Sequence, residues 1–146
     1  MTAPNIDRRN WMSVLAKSAP ARLSALIPDL PAHSLLRPAE VGAVMVRGRM
    51  GGTGAAFNLG EMTITRCSLR LASGEVGHAW VQGRDRDHAT RAAVVDALMQ
   101  SDRAPEIAAA VVAPLAAEAA STRLARASKA AATKVDFFTM VRGEDQ

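Results

Sequence analysis

Two groups of residues in this 146-residue sequence have the types and spacing that chemistry needs. The first is Arg49, Gly51, Gly52, Thr53 and Gly54, in the run RMGGTG. Successive backbone N–H groups in a glycine-rich turn can form a concavity for an anion, and Arg49 and Thr53 would add side-chain donors. The run lacks the Gly-Lys-Ser/Thr ending of a P-loop, and the residues after it have the pattern of a strand rather than a helix. The alternative is a hairpin turn or bulge whose glycines supply positive φ. The second group is Arg84, Asp85, Asp87 and His88, where a strand pattern gives way to a helix pattern. A helix N-terminus can receive an anion, and His88, whose ordinary pKa lies near neutrality, has the chemistry of a proton carrier. The alternative is a helix cap, which by itself contributes about 1 kcal/mol and accounts for an aspartate there.

Other chemistries find less support. Cys67, His33, His78 and His88 lack the spacing of metal ligands, and no HExxH or CxxC occurs, so no metal or cofactor is expected on this chain. Cys67 has no neighbouring base or helix N-terminus and reads as a small core residue rather than a nucleophile. No carboxylate pair has a catalytic arrangement, and no catalytic residue is assigned. A self-contained catalyst is therefore not expected.

The elements that must position these residues are those of one domain spanning 1–146. Hydrophobic residues make up 49% and charged residues 22%, a globular balance. Asp7 can cap a helix from Arg8 to Lys17, and a second runs from Ala21 to Ile27. Pro28, Pro31 and Pro38 mark a connecting loop. Strand patterns come next in VGAVMVRGRM from Val41, in EMTITRCSLRL from Glu61, and in EVGHAWVQG from Glu75, with Ser73 and Gly74 as a hairpin turn. Met62 and Ile64 share one face while Cys67, Leu69 and Leu71 share the other, which predicts a bulge near Arg66. Asp85 or Asp87 starts a helix reaching Gln100. An Ala-rich helical region beyond Pro105, broken or restarted at Pro114, extends to Thr133. The fold class is α+β: a small antiparallel sheet of about three or four strands packed with N-terminal and C-terminal helices.

Composition also bounds the setting. The single cysteine cannot form an internal disulfide, which suits a reducing compartment. The first residues are polar where a signal peptide would be apolar. The longest apolar stretch, Ile107 to Ala117, falls short of the roughly 20 residues a bilayer requires. A cytoplasmic protein without a membrane partner is expected. Net charge is +4, with fifteen Arg against three Lys. Arg favours planar, bidentate contact with carboxylates and phosphates, so a phosphate-bearing ligand, an acidic partner or nucleic acid would suit it, as would a merely Arg-rich composition. Nucleic acid is the poorest of these, since the positive residues are scattered and no strand interleaves aromatics with Arg or Lys.

The aromatic inventory is short: two Trp, three Phe and no Tyr. Aromatic side chains usually dominate a core, so this one must rest on Ala, Val, Leu and Met. Phe137 and Phe138 lie instead in an apolar C-terminal tail, 134–146, with Met140 and Arg142. That tail is either a last strand on the chain's own sheet or a segment that docks on a partner, where Phe, Met and Arg are typical anchors. Trp11, Phe137, Phe138, Met140 and Arg142 are the partner-interface candidates.

In order along the chain, WMSVLA from Trp11, RMGGTG from Arg49, FNLGEMTITRC from Phe57, AWVQGRD from Ala79, DALMQ from Asp96, APL from Ala113 and VDFFTMVRG from Val135 form a specific set. Together they resemble the PhnG family, the G subunits of the bacterial carbon–phosphorus lyase core complex. The resemblance implies an accessory subunit in phosphonate breakdown. With its H, I and L companions it would be required for displacing adenine from MgATP by an alkylphosphonate, giving ribose 1-phosphonate 5-triphosphate. It further implies a stable assembly with the H, I and J subunits, in which MgATP is a substrate of the complex and not a cofactor of this chain. Two alternatives stand beside it. The chain could lend Arg49, Arg84 and His88 to a shared phosphate-binding active site, or, more distantly, act as a basic nucleic-acid-binding module.

Overall fold

An alanine-rich helix can lie closer to a sheet than a leucine-rich one, and this fold is built around such an approach. The computed structural model describes residues 5–135 and residue 137. In chain order the elements are α1 (Asn5–Lys17), α2 (Pro20–Leu26), β1 (His33–Arg49), β2 (Ala56–Leu71), β3 (Val76–Gln82), α3 (Arg86–Leu98), α4 (Ala104–Ile107) and α5 (Ala113–Ala132). A 3-10 turn, Met50–Gly52, joins β1 to β2, and a π-helical segment, Ala108–Val112, joins α4 to α5. The strands form an antiparallel sheet in the order β1-β2-β3, so the expected α+β architecture is present with three strands.

Helix α3 packs on the sheet through Ala89, Ala92, Ala93 and Ala97, all buried. A Cβ on Gly77 of β3 would run into the Ala93 carbonyl and stand 2.8 Å from Ala97 N. A side chain is excluded there because backbone meets backbone. Around this contact Leu69 and Val81 from the sheet, Trp11 and Leu15 from α1, Leu23 from α2, and Ile107, Val111 and Leu115 from the C-terminal helices close one core. Trp11 is the one aromatic ring in that cluster among the described residues. Burying a Leu or Val side chain contributes roughly 1.5–3 kcal/mol, so many small residues replace the few large ones an ordinary core would use.

Several sequence expectations need correction. β1 begins at His33, eight residues before Val41, and runs through Pro38, which had read as loop. Pro38 is tolerated because β1 is an edge strand and the pairing slips around it, with register shifts between Leu35 and Arg37 and between Arg37 and Glu40. The extra residues therefore sit in β1, and β2 has no bulge near Arg66 against β3: pairing is unbroken from Ile64↔Gln82 to Arg70↔Val76. Ile64 is buried on the other face. Pro114 does not break the C-terminal helix. Its missing N–H and bulky ring are accommodated by the wider π-helical turn just before it.

The helical stretch Ala104–Ala132 is 29 residues long, and by length and composition it could cross a membrane, contrary to the shorter apolar run read from sequence. Its first part belongs to the core, through Ile107, Val111 and Leu115. Beyond Leu115 no α5 residue is buried, and Leu124 is 72% exposed.

A second element also leaves the core. β3 ends opposite Ile64, but β2 continues back to Ala56 and β1 forward to Arg49. At roughly 3.3 Å per residue this two-stranded arm extends about 25 Å past β3. Met45, Met50, Phe57 and Leu59 are exposed on it. The Phe57 ring lies over Gly48, 3.6 Å from where a Cβ would be.

Candidate functional site

RMGGTG is the tip of that arm. Gly51 and Gly52 have φ of 58° and 81°, conformations that require glycine. Gly54 N donates to Met50 O (2.7 Å), Thr53 N donates to the same carbonyl, and Met50 N donates to Ala55 O. Arg49 Nη1 donates across the turn to Gly54 O (3.2 Å). Three of the N–H groups that an anion concavity would need are thus engaged by the turn's own carbonyls. The local chemistry is that of a hairpin turn.

The second sequence cluster divides. Asp85 caps α3: its Oδ1 accepts from His88 N at 2.9 Å, so the capping alternative holds. His88 itself is 2% exposed. Its Nε2 lies 3.1 Å from both Leu15 O and Ser18 Oγ, so it donates to a carbonyl in the last turn of α1. Its Nδ1 is buried without a partner. Burial pushes the His88 pKa below its ordinary value, against weaker upward pulls from the Leu15 carbonyl and Asp85. His88 is therefore a neutral pin between α1 and α3, turned away from solvent. Arg84 is exposed. With Gln82 opposite Ile64 and Arg49 opposite Ala56, eight residues of β2, about 25 Å, separate the two candidate regions. The structure does not bring Arg49, Arg84 and His88 together.

Trp11, expected at an interface, is 6% exposed and belongs to the chain's own core. Its Nε1 donates to Asp96 Oδ1 at 2.9 Å. Sequence reasoning missed this carboxylate, and a polar residue at an apolar helix position was the available signal. Asp96 also accepts two bonds from Arg8, at 3.1 and 2.7 Å, and one from His78 N at 2.8 Å. Four donors from α1 and β3 thus converge on one buried side chain of α3. Val135 and Phe137 are exposed, Phe137 at 90%. Phe138, Met140 and Arg142 lie outside the described residues.

Cys67 is buried, with Sγ 3.6 Å from Arg37 O, and desolvation pushes its thiol above the ordinary value while Thr90 pulls it slightly down. Among the described residues no three His, Cys, Asp or Glu side chains gather where a metal could sit. A cleft of about 1030 Å³ opens between α1 and α5, and Lys17, Arg123 and Arg126 line it.

The model of a family described as "Phosphonate metabolism protein PhnG" matches residues 6–143. A protein of Rhizobium meliloti (strain 1021), named alpha-D-ribose 1-methylphosphonate 5-triphosphate synthase subunit PhnG, is 45% identical over 142 residues, covering 95% of this chain and 91% of that protein.

Proposed function

Since the chain belongs to the PhnG family of phosphonate metabolism proteins, we propose that it is an accessory subunit of an alpha-D-ribose 1-methylphosphonate 5-triphosphate synthase. Its work is to complete and hold the assembly in which an alkylphosphonate displaces adenine from MgATP. The companions are the H, I and J subunits of the carbon–phosphorus lyase core complex, with the L subunit joining for the nucleosidase-type step. MgATP is held by the assembly, and the setting is the cytoplasm, where that substrate is made.

One observation carries the docking part: the arm leaves the core with apolar side chains outward. A two-stranded ribbon is marginal in water on its own, and Met45, Met50, Phe57 and Leu59 are 51%, 65%, 40% and 66% exposed along it. Met and Phe are enriched in interface cores. A companion subunit of the same synthase is the occupant we assign to the arm and to the bare length of α5. That assignment puts protein, rather than a bilayer, against the apolar helix.

The test is co-expression with the H, I and J subunits, followed by mass determination of the species that elute together. The chain is expected in a stable complex, and Met45→Thr with Leu59→Thr should reduce its share at least tenfold while the lone variant stays folded. A monodisperse chain that ignores all three companions would overturn the assignment.

A further inference from the structure

We propose that the cleft between α1 and α5 receives an acidic segment of a companion subunit. This rests on the accessory-subunit reading and deepens it by naming the chemistry of one contact. Lys17 stands on one wall at the end of α1, while Arg123 and Arg126 stand on the other, three residues apart and hence on one face of α5. The carboxylate of the cleft, Glu118, already accepts from Arg22 Nε at 2.7 Å. The side chains of Asn10, Ser13 and Gln82, also at the cleft, make no hydrogen bond within the described chain. Elsewhere Arg8, Arg37, Arg66 and Arg103 have carboxylate partners. Among the described residues Lys17, Arg123 and Arg126 have none.

Two features favour a protein segment over a small anion. All three cations are exposed, so a small ligand would meet them still hydrated, whereas a packed segment displaces that water and strengthens each pair. Two of the three hydroxyl protons at the cleft are already used: Ser18 donates to Leu15 O and Thr122 to Glu118 O. The cleft is also continuous with the uncovered face of α5. From Leu115 to Arg126 that wall is about 16 Å long, enough for three turns of a helix or five residues of extended chain.

The test uses the whole complex and a carbodiimide that couples amines directly to carboxylates. The chain holds three lysines, Lys17, Lys129 and Lys134. Peptide mapping is expected to find Lys17 joined to an Asp or Glu of a companion. Arg123→Glu with Arg126→Glu should lower recovery of the complex at least tenfold, and Arg123→Gln with Arg126→Gln about threefold. Added salt should weaken the wild type more than the Gln variant. An intact complex in which Lys17 stays uncoupled overturns this inference alone, as does undiminished recovery of the Glu variant. Inorganic tripolyphosphate that occupies the cleft of the complex without displacing a companion assigns it to a small anion instead. Absence of any complex sinks both readings.

Discussion

Asp96 is 1% exposed and accepts four hydrogen bonds, from Arg8 twice, from Trp11 and from the His78 backbone. A carboxylate buried this way is costly unless its partners are complete, and here one side chain fixes α1 and β3 against α3. Replacing Asp96 with Ala strands the buried Trp11 Nε1 and takes the acceptor from the His78 N–H, while Arg8, at 32% exposure, can rehydrate. Each buried donor left alone costs about 1–3 kcal/mol. The Asp96→Ala chain should lose about 3 kcal/mol in urea unfolding, and Asp96→Asn, which keeps one acceptor oxygen, should lose less. Equal stability of the Ala variant and the wild type would show that the network does not hold the elements together. The same residue corrects the reading of Trp11. An indole among so few aromatics invites a partner outside the chain, but its N–H finds an acceptor 85 positions away, a pairing no local spacing reveals.

At the scale of elements, the joint between α1 and α3 carries a pH dependence. His88 is held neutral inside, donating to Leu15 O, with its pKa depressed mainly by burial. The unfolded chain binds a proton at His88 below about pH 6.5, while the folded chain resists it down to a lower pH. The stability this neutral histidine provides is therefore full above pH 6.5 and is lost as pH falls through the folded pKa. Melting temperature should drop as pH falls below about 6.5, and His88→Gln, which can still donate to the Leu15 carbonyl, should show a shallower drop; parallel curves would exclude His88 as the source. Much of the element pattern was legible beforehand. Period-two runs marked β2 and β3, Asp85 marked the start of α3, and alanine spacing marked its buried face. The start of β1 was hidden because prolines signal loop locally, and only the edge position and the bulges that accommodate Pro38 make a strand there possible. The candidate site was less legible. Glycine in RMGGTG and the RDRDH run report local backbone needs, a turn and a cap, whereas the cleft is formed by Lys17 and Arg126, 109 residues apart in sequence.

At the scale of the whole molecule, the distribution of burial is uneven enough to be measured amide by amide. The core gathers around α3, where six residues from Ala92 to Ala97 are all buried. The arm beyond Ile64 and the part of α5 beyond Leu115 have no buried residue. Opening free energies within one protein range from near zero to the full unfolding value, tracking buried apolar contact. In the isolated chain, hydrogen exchange should be slow in β3 and α3 and fast in the arm, since a ribbon with two exposed faces opens without disturbing the rest. α5 should exchange faster past Ser121 than near Leu115, because an alanine-rich helix without a packed face frays from its free end. When companion subunits cover the arm and α5, their amides should slow by at least tenfold while those of α3 change little. An arm as well protected alone as β3 would mean that its strands hold themselves, and the reason for assigning a partner to it would be gone. Protection that rises in α5 but not in the arm would place the companion along the helix and its basic cleft, and leave the apolar ribbon for another subunit.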